Sequence, residues 1–264
     1  MYIPLLKKGD HNSLINLISE EQWEDAAIRI KYFPKEAKKE VKLSTTKSFS
    51  KVLPLHHVCA RNPTLQITEA LLKSYPSAAK KRDSISKRLP LHVACLNGAS
   101  ATVIRELLVV HRDGASDMLK DGSIALHYAC GSGASKQVIE ELVRVYPDGT
   151  RIQDKNGWLP IHLACLQNAS KEIIQILLDA YPESVNIRTQ KGNTPLQCLK
   201  STKNTNVDSL DVLSLLRCTE MNLRRRVALG RCASTSRIHE INRENNLMTG
   251  LIQKRRCNSA VHVC

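Results

Sequence analysis

Residues 154–182 read DKNGWLPIHLACLQNASKEIIQILLDAYP, and each change of local structure along them is marked by a residue type. Asn156-Gly157 is a turn signal, because glycine enters positive φ without steric cost. Pro160 suits the first position of a helix, where its missing N–H has no intrahelical acceptor to lose. The spacing predicts a short helix from Pro160 to about Gln167-Asn168. A second helix follows, carrying Ile173, Ile174, Leu177 and Leu178 as one apolar stripe. Pro182 ends it by clashing with the preceding turn and pushing Tyr181 out of helical dihedrals.

The passage recurs. His162 has counterparts at His56, His92 and His127, with intervals of 36, 35 and 35 residues along the series, and Gln197 stands in the same place 35 residues further on. The pairs Ile67-Thr68, Val103-Ile104, Val138-Ile139 and Ile173-Ile174 keep the register, as do Tyr75, His111, Tyr146 and Tyr181 at the ends of the second helices. A fixed period of this size marks a stacked solenoid in which each unit covers its neighbour's apolar face.

Terminal units of such stacks are expected to be atypical. Leu14, Leu17 and Ile18, then Trp23, Ala27 and Ile30, predict an N-terminal helix pair ending at Phe33-Pro34. Leu210, Val212, Leu213, Leu215 and Leu216 predict a closing helix behind the polar insert Ser201 to Asn206. The expected organisation is capping helices and a loop over 1–52, about five units over 53–217 with the last atypical, and a basic, flexible tail over 218–264.

Composition agrees. Aromatic residues make up only 4% of the chain, so Leu, Ile, Val, Ala and Cys must fill a thin, serial core. The formal charge of +14 is concentrated: residues 200–264 hold 12 Lys and Arg against 5 Asp and Glu, which makes the tail the natural address for an anionic partner. Nine cysteines with no Cys-x-x-Cys pair point to a reducing compartment. The opening MYIPLLKKGD has neither the leading positive region nor the apolar length of an export signal. No stretch approaches the ~18 apolar residues of a membrane span. The expectation is a soluble intracellular protein, cytoplasmic or nuclear.

The pattern resembles the ankyrin-repeat family, whose unit carries a Gly turn, a Thr-Pro-Leu-His helix start, a small Ala pair, a second Gly turn and a Val-Val then Leu-Leu stripe. Asp121-Gly122 to Gly133, with Leu126-His127-Tyr128-Ala129-Cys130 between, and Lys191-Gly192-Asn193-Thr194-Pro195-Leu196 match it well. The resemblance covers about residues 53–217 and implies an all-α helical solenoid with projecting turn loops. Two departures stand out. The unit is 35 residues where the family's is 33, and Leu53, Leu89, Ile124 and Leu159 replace the family's Thr, removing the histidine's usual hydroxyl partner.

His-x-x-Cys occurs in each of the first four units, and imidazole with thiolate suits zinc. A closed site needs four ligands within ~2.3 Å of one point, however, whereas equivalent residues in stacked helices lie ~10 Å apart. Cys sits where the family places a small Ala, so it reads as a buried hydrophobe. A Cys–His nucleophile needs an orienting third group and an oxyanion pocket, and nothing breaks the repeat to supply them. No phosphate-cradling glycine motif is present; Gly131-Ser132-Gly133 is a connecting turn. The reading is a non-enzyme with no catalytic, cofactor or metal site.

The resemblance implies that another protein binds the concave face, at the turn tips and the exposed side of the short helices. The tip positions are Arg88, Lys120, Asp121, Ser123, Lys155, Asn156, Trp158, Gln190, Lys191 and Asn193. Trp158 reads either as an interface anchor or as packing against the adjacent turn. The alternative function is nucleic-acid or anionic-surface binding by the tail, through Arg224-Arg225-Arg226 and Lys254-Arg255-Arg256.

Overall fold

Proline and glycine set the element boundaries that the sequence suggests. The computed structural model of the chain describes residues 13–44, 49–84, 86–201 and 210–226. Most of the polar insert, Cys232, Cys257, Cys264 and Lys254-Arg255-Arg256 lie outside them. The chain divides into two units, 1–217 and 218–264.

The first unit opens on α1 (Leu14–Ser19) and α2 (Trp23–Tyr32). Strands β1 (Val41–Ser44) and β2 (Phe49–Val52) then pair antiparallel, Val41 opposite Val52. The sequence reading expected only a loop here. Four helix pairs follow: α3 (Pro54–Cys59) with α4 (Leu65–Ser74), α5 (Pro90–Leu96) with α6 (Ala101–Val110), α7 (Ala125–Ser132) with α8 (Lys136–Val145), and α9 (Pro160–Leu166) with α10 (Lys171–Ala180). Helix α11 (Pro195–Ser201) follows, and α12 covers 210–217 in the first unit and 218–226 in the second.

Each short helix packs on the next, α1 through α3, α5, α7 and α9 to α11, while α2, α4, α6, α8 and α10 form a second layer in the same order. The apolar stripes meet between the layers. Ile67, Ile104, Ile139 and Ile174 are fully buried, as are Leu71, Leu107, Leu142 and Leu177 in the next turn of each helix. Cys59, Cys95, Cys130 and Cys165 lie in the same interior. No helix among the described residues is long and apolar enough to cross a membrane.

Both connections in a unit need left-handed backbone. After the short helices it falls on Asn62, Gly98, Gly133 and Asn168, at φ of 49°, 72°, 72° and 54°. After Gly98, Gly133 and Asn168 the next residue closes a Schellman turn, as in Ala134 N–H to Ala129 C=O at 3.0 Å, whereas Asn62 is followed by Pro63, which has no N–H. At the projecting turns it falls on Lys87, Gly122, Gly157 and Gly192, at φ of 56°, 80°, 76° and 82°. A Cβ on Gly157 would also stand 2.9 Å from the Gln190 nitrogen of the following turn.

Two measurements of unfolding in urea test this packing. Leu126, 3% exposed in α7, should cost ~2–5 kcal/mol when cut to alanine, through the cavity left behind. Lys87→Gly should instead gain ~0.5–1 kcal/mol, because a lysine there bears the left-handed penalty that the other three turns avoid. A negligible loss for the first, or a loss for the second, contradicts the assignment.

Candidate binding face

The projecting turns are closed loops, which we call fingers. Backbone N–H groups of Asp83, Leu119, Asp154 and Thr189 donate to the carbonyls of Arg88, Ser123, Trp158 and Asn193, each at 2.9 Å. The first finger spans one residue more than the others, which accounts for the 36-residue interval between His56 and His92. Acidic side chains brace the loops from inside. Asp83 Oδ1 accepts from the N–H of Ser86 and Lys87, Asp121 Oδ1 from Ser123, and Asp154 Oδ1 from Asn156 and Trp158. Adjacent fingers are also joined by backbone bonds, Lys155 N–H to Asp121 C=O at 2.8 Å and Gln190 N–H to Asn156 C=O at 2.9 Å.

The histidines hold the fingers. Nδ1 of His92, His127 and His162 accepts the backbone N–H of Leu89, Ile124 and Leu159, three residues earlier, at 3.3, 3.3 and 3.0 Å. This is one half of a capping box; the other half, a hydroxyl at the N-cap accepting the histidine's own N–H, is missing where Leu or Ile replaces Thr. With Nδ1 accepting, Nε2 carries the proton, and it donates to the neck of the following finger. The acceptors are the carbonyls of Asp117, Trp158 and Ile187, at 3.0, 3.1 and 3.1 Å. His56 makes the same outward bond, to Arg88 C=O at 3.2 Å, but its Nδ1 is buried without a partner. In the last unit Gln197 Oε1 accepts Thr194 N–H at 2.8 Å while Thr194 Oγ1 accepts Gln197 N–H at 3.4 Å, a full capping box.

Burial pushes the affinity of these four imidazoles for a proton below the ordinary histidine value, and the bonds to carbonyls offset this only in part. The neighbouring thiols are displaced the opposite way. Burial pushes Cys59 up to about 12, and Cys95, Cys130 and Cys165 upward as well. A thiol held protonated is neither a nucleophile nor a metal ligand. Among the described residues no three His, Cys, Asp or Glu side chains gather where they could hold a metal ion.

The ten tip positions fall into two groups. Lys120, Asp121, Lys155, Asn156, Gln190 and Lys191 are exposed along the finger row, whereas Arg88, Ser123, Trp158 and Asn193 are half-buried at its base. Arg88 lies over the Tyr128 ring at 4.9 Å, with Nη2 3.4 Å from the tyrosine oxygen, and the Tyr128 hydroxyl donates to Asp121 Oδ2 at 3.5 Å. Tyr128, on α7, thus ties two fingers to the short-helix layer. Trp158 sets its ring edge-on to His162 at 5.9 Å. It packs on its own unit while keeping a partly open face.

The tip list omits the short-helix part of this face. Val93, Tyr128 and Leu163, one residue after the histidines, are half-buried, and Leu96 and Leu166, four after them, are each 39% exposed. Their signal in the sequence is positional. They are apolar residues on the side of the short helix that no neighbouring unit covers.

Acidification tests the imidazole assignment. Well above pH 6.5, the ordinary histidine value, the histidines are neutral in both folded and unfolded chains, and their contribution is fully present. As the pH falls below that value the unfolded chain takes up protons that the fold refuses. Stability should therefore decline toward the lowered folded pKa, by at most ~1.4 kcal/mol per pH unit for each histidine. Urea titrations of wild type and His127→Gln over this range should differ in slope, the variant being flatter; identical slopes contradict the assignment.

Comparison with known families gives a match to ankyrin repeats, described in sets of three copies, over residues 55–148 and 132–226. No curated protein matches the chain.

Proposed function

We propose that this chain, which belongs to the ankyrin-repeat family, is a non-catalytic adaptor that grips another protein on the face made by its fingers and short helices. Protein binding is the general role of the family. The observation that carries the reading is the rigid join between the two halves of that face. Each finger from Arg88 onward is held at its neck by the preceding unit's histidine, and Arg88, Tyr128 and Asp121 fasten fingers to helix α7. A surface fixed before binding loses little conformational entropy when a partner docks. The buried, protonated thiols support a non-catalytic role. The free state of the six described cysteines accords with an intracellular setting.

Binding of an anionic surface through the tail is the rival reading, and Arg224, Arg225 and Arg226 on α12 are exposed. Affinity purification from native extract separates the two. Wild type and a form lacking 218–264 should recover the same partners, and Trp158→Ala should lose them. If the truncated form loses them while Trp158→Ala keeps them, and if added salt abolishes capture steeply, the tail reading is correct instead.

A further inference from the structure

The face proposed above carries two features that together specify the chemistry of its partner. The first is a gap in the apolar stripe. Leu96 on α5 and Leu166 on α9 are partly exposed at the same position of their helices, and between them α7 places Gly131. Nothing in the fold asks for glycine there. Its φ is not positive, and an added Cβ would meet only Leu163 Cδ1, at 4.0 Å. Alanine would fit and would favour the helix. The glycine leaves the space of one side chain open over the α7 backbone, a notch whose nearest side-chain atom is Leu163 Cδ1.

The second feature is charge. The four fingers with the two residues that lead into each (81–88, 117–123, 152–158 and 187–193) hold eight cationic residues against four acids. Asp83, Asp121 and Asp154 accept backbone N–H groups of their own loops, Asp121 staying exposed, and Asp117 pairs with Arg82 at 2.6 Å, so the cations remain in surplus. The exposed lysines are not neutralised. Among the described residues Lys87, Lys120, Lys155 and Lys191 have no ion-pair partner, and all four project from the finger row. Of the rings on this face, Tyr128 is engaged by Arg88 and His92, whereas Trp158, edge-on to His162, keeps its partly open face.

From this we infer, resting on the concave-face reading, that the partner is an acidic peptide segment with one aliphatic anchor. The anchor fills the Gly131 notch, and carboxylates on either side of it meet Lys120 and Lys155. An apolar side chain in a desolvated pocket supplies the hold, while opposite charges along the row select and orient the segment.

The test is selection from a random peptide display library on the full-length chain, followed by titration of the synthesised winners. The expected winners carry Asp or Glu around a single Leu, Ile or Met. They bind about tenfold or more weakly to Gly131→Leu, and by a similar factor to the Lys120→Glu, Lys155→Glu double variant, whose loss shrinks with added salt. Gly131→Leu occupies open space in a helix, so its thermal midpoint should equal or exceed that of wild type, and the surface double variant guards against misfolding of the first. Winners indifferent to both variants but lost with Trp158→Ala overturn this inference and leave the concave face as the binding site. Winners indifferent to Trp158→Ala as well, or an empty selection, overturn both. Tight binding of a short poly-uridine RNA, lost on charge reversal but unchanged in Gly131→Leu, assigns the lysines to nucleic acid and also overturns the inference.

Discussion

A neutral imidazole has one acceptor and one donor on opposite sides of its ring, and in this stack the two serve different units. Nδ1 completes the helix start of its own unit, and Nε2–H reaches the neck of the next finger. Both partners are backbone groups shielded from water, where an unmade bond costs about 1–3 kcal/mol. Each finger consequently takes its position from the unit before it. The neutral state is part of the device, since a protonated Nδ1 would present a donor to a donor.

The same logic explains Gln197. Its amide oxygen caps Thr194 as the imidazole would, and Thr194 returns the bond. The earlier units have exchanged that threonine for Leu or Ile. They lose the return bond, but Leu89, Ile124 and Leu159 each become a core residue. A side chain that both caps its own helix and reaches the next loop must be long, planar and two-ended, and histidine meets that description.

The fingers gain stiffness from several modest sources acting together. The finger aspartates brace their loops by accepting backbone N–H groups, and the cations around them outnumber them. On the outer helices Arg105 pairs with Glu141 of the next unit at 2.6 Å, an exposed contact of the kind worth ~0–1 kcal/mol. The weight of the fold therefore rests on the apolar layers and on the imidazole bonds.

The amino-acid sequence by itself determined the period, the helix pairs, their ends and the burial of the four His-x-x-Cys cysteines, because these depend on local sterics and on apolar spacing repeated every 35 residues. Pro160, Gly157 and the Ile173 to Leu178 stripe carry that information within one unit. Pairing of β1 with β2 was not legible, since the alternation of Val41-Lys42-Leu43-Ser44 is short, Phe49-Ser50-Lys51-Val52 does not repeat it, and no turn glycine lies between. Nor was the role of the histidines: the acceptors at Asp117, Trp158 and Ile187 lie 25 or more residues away, and only stacking brings them within reach. The tip residues could be placed on the fingers by register alone. That Arg88 and Trp158 sit half-buried at the base, and that Leu96, Gly131 and Leu166 shape one surface, was decided by tertiary structure. Adjacency between units is a property of packed layers, and no single repeat contains it.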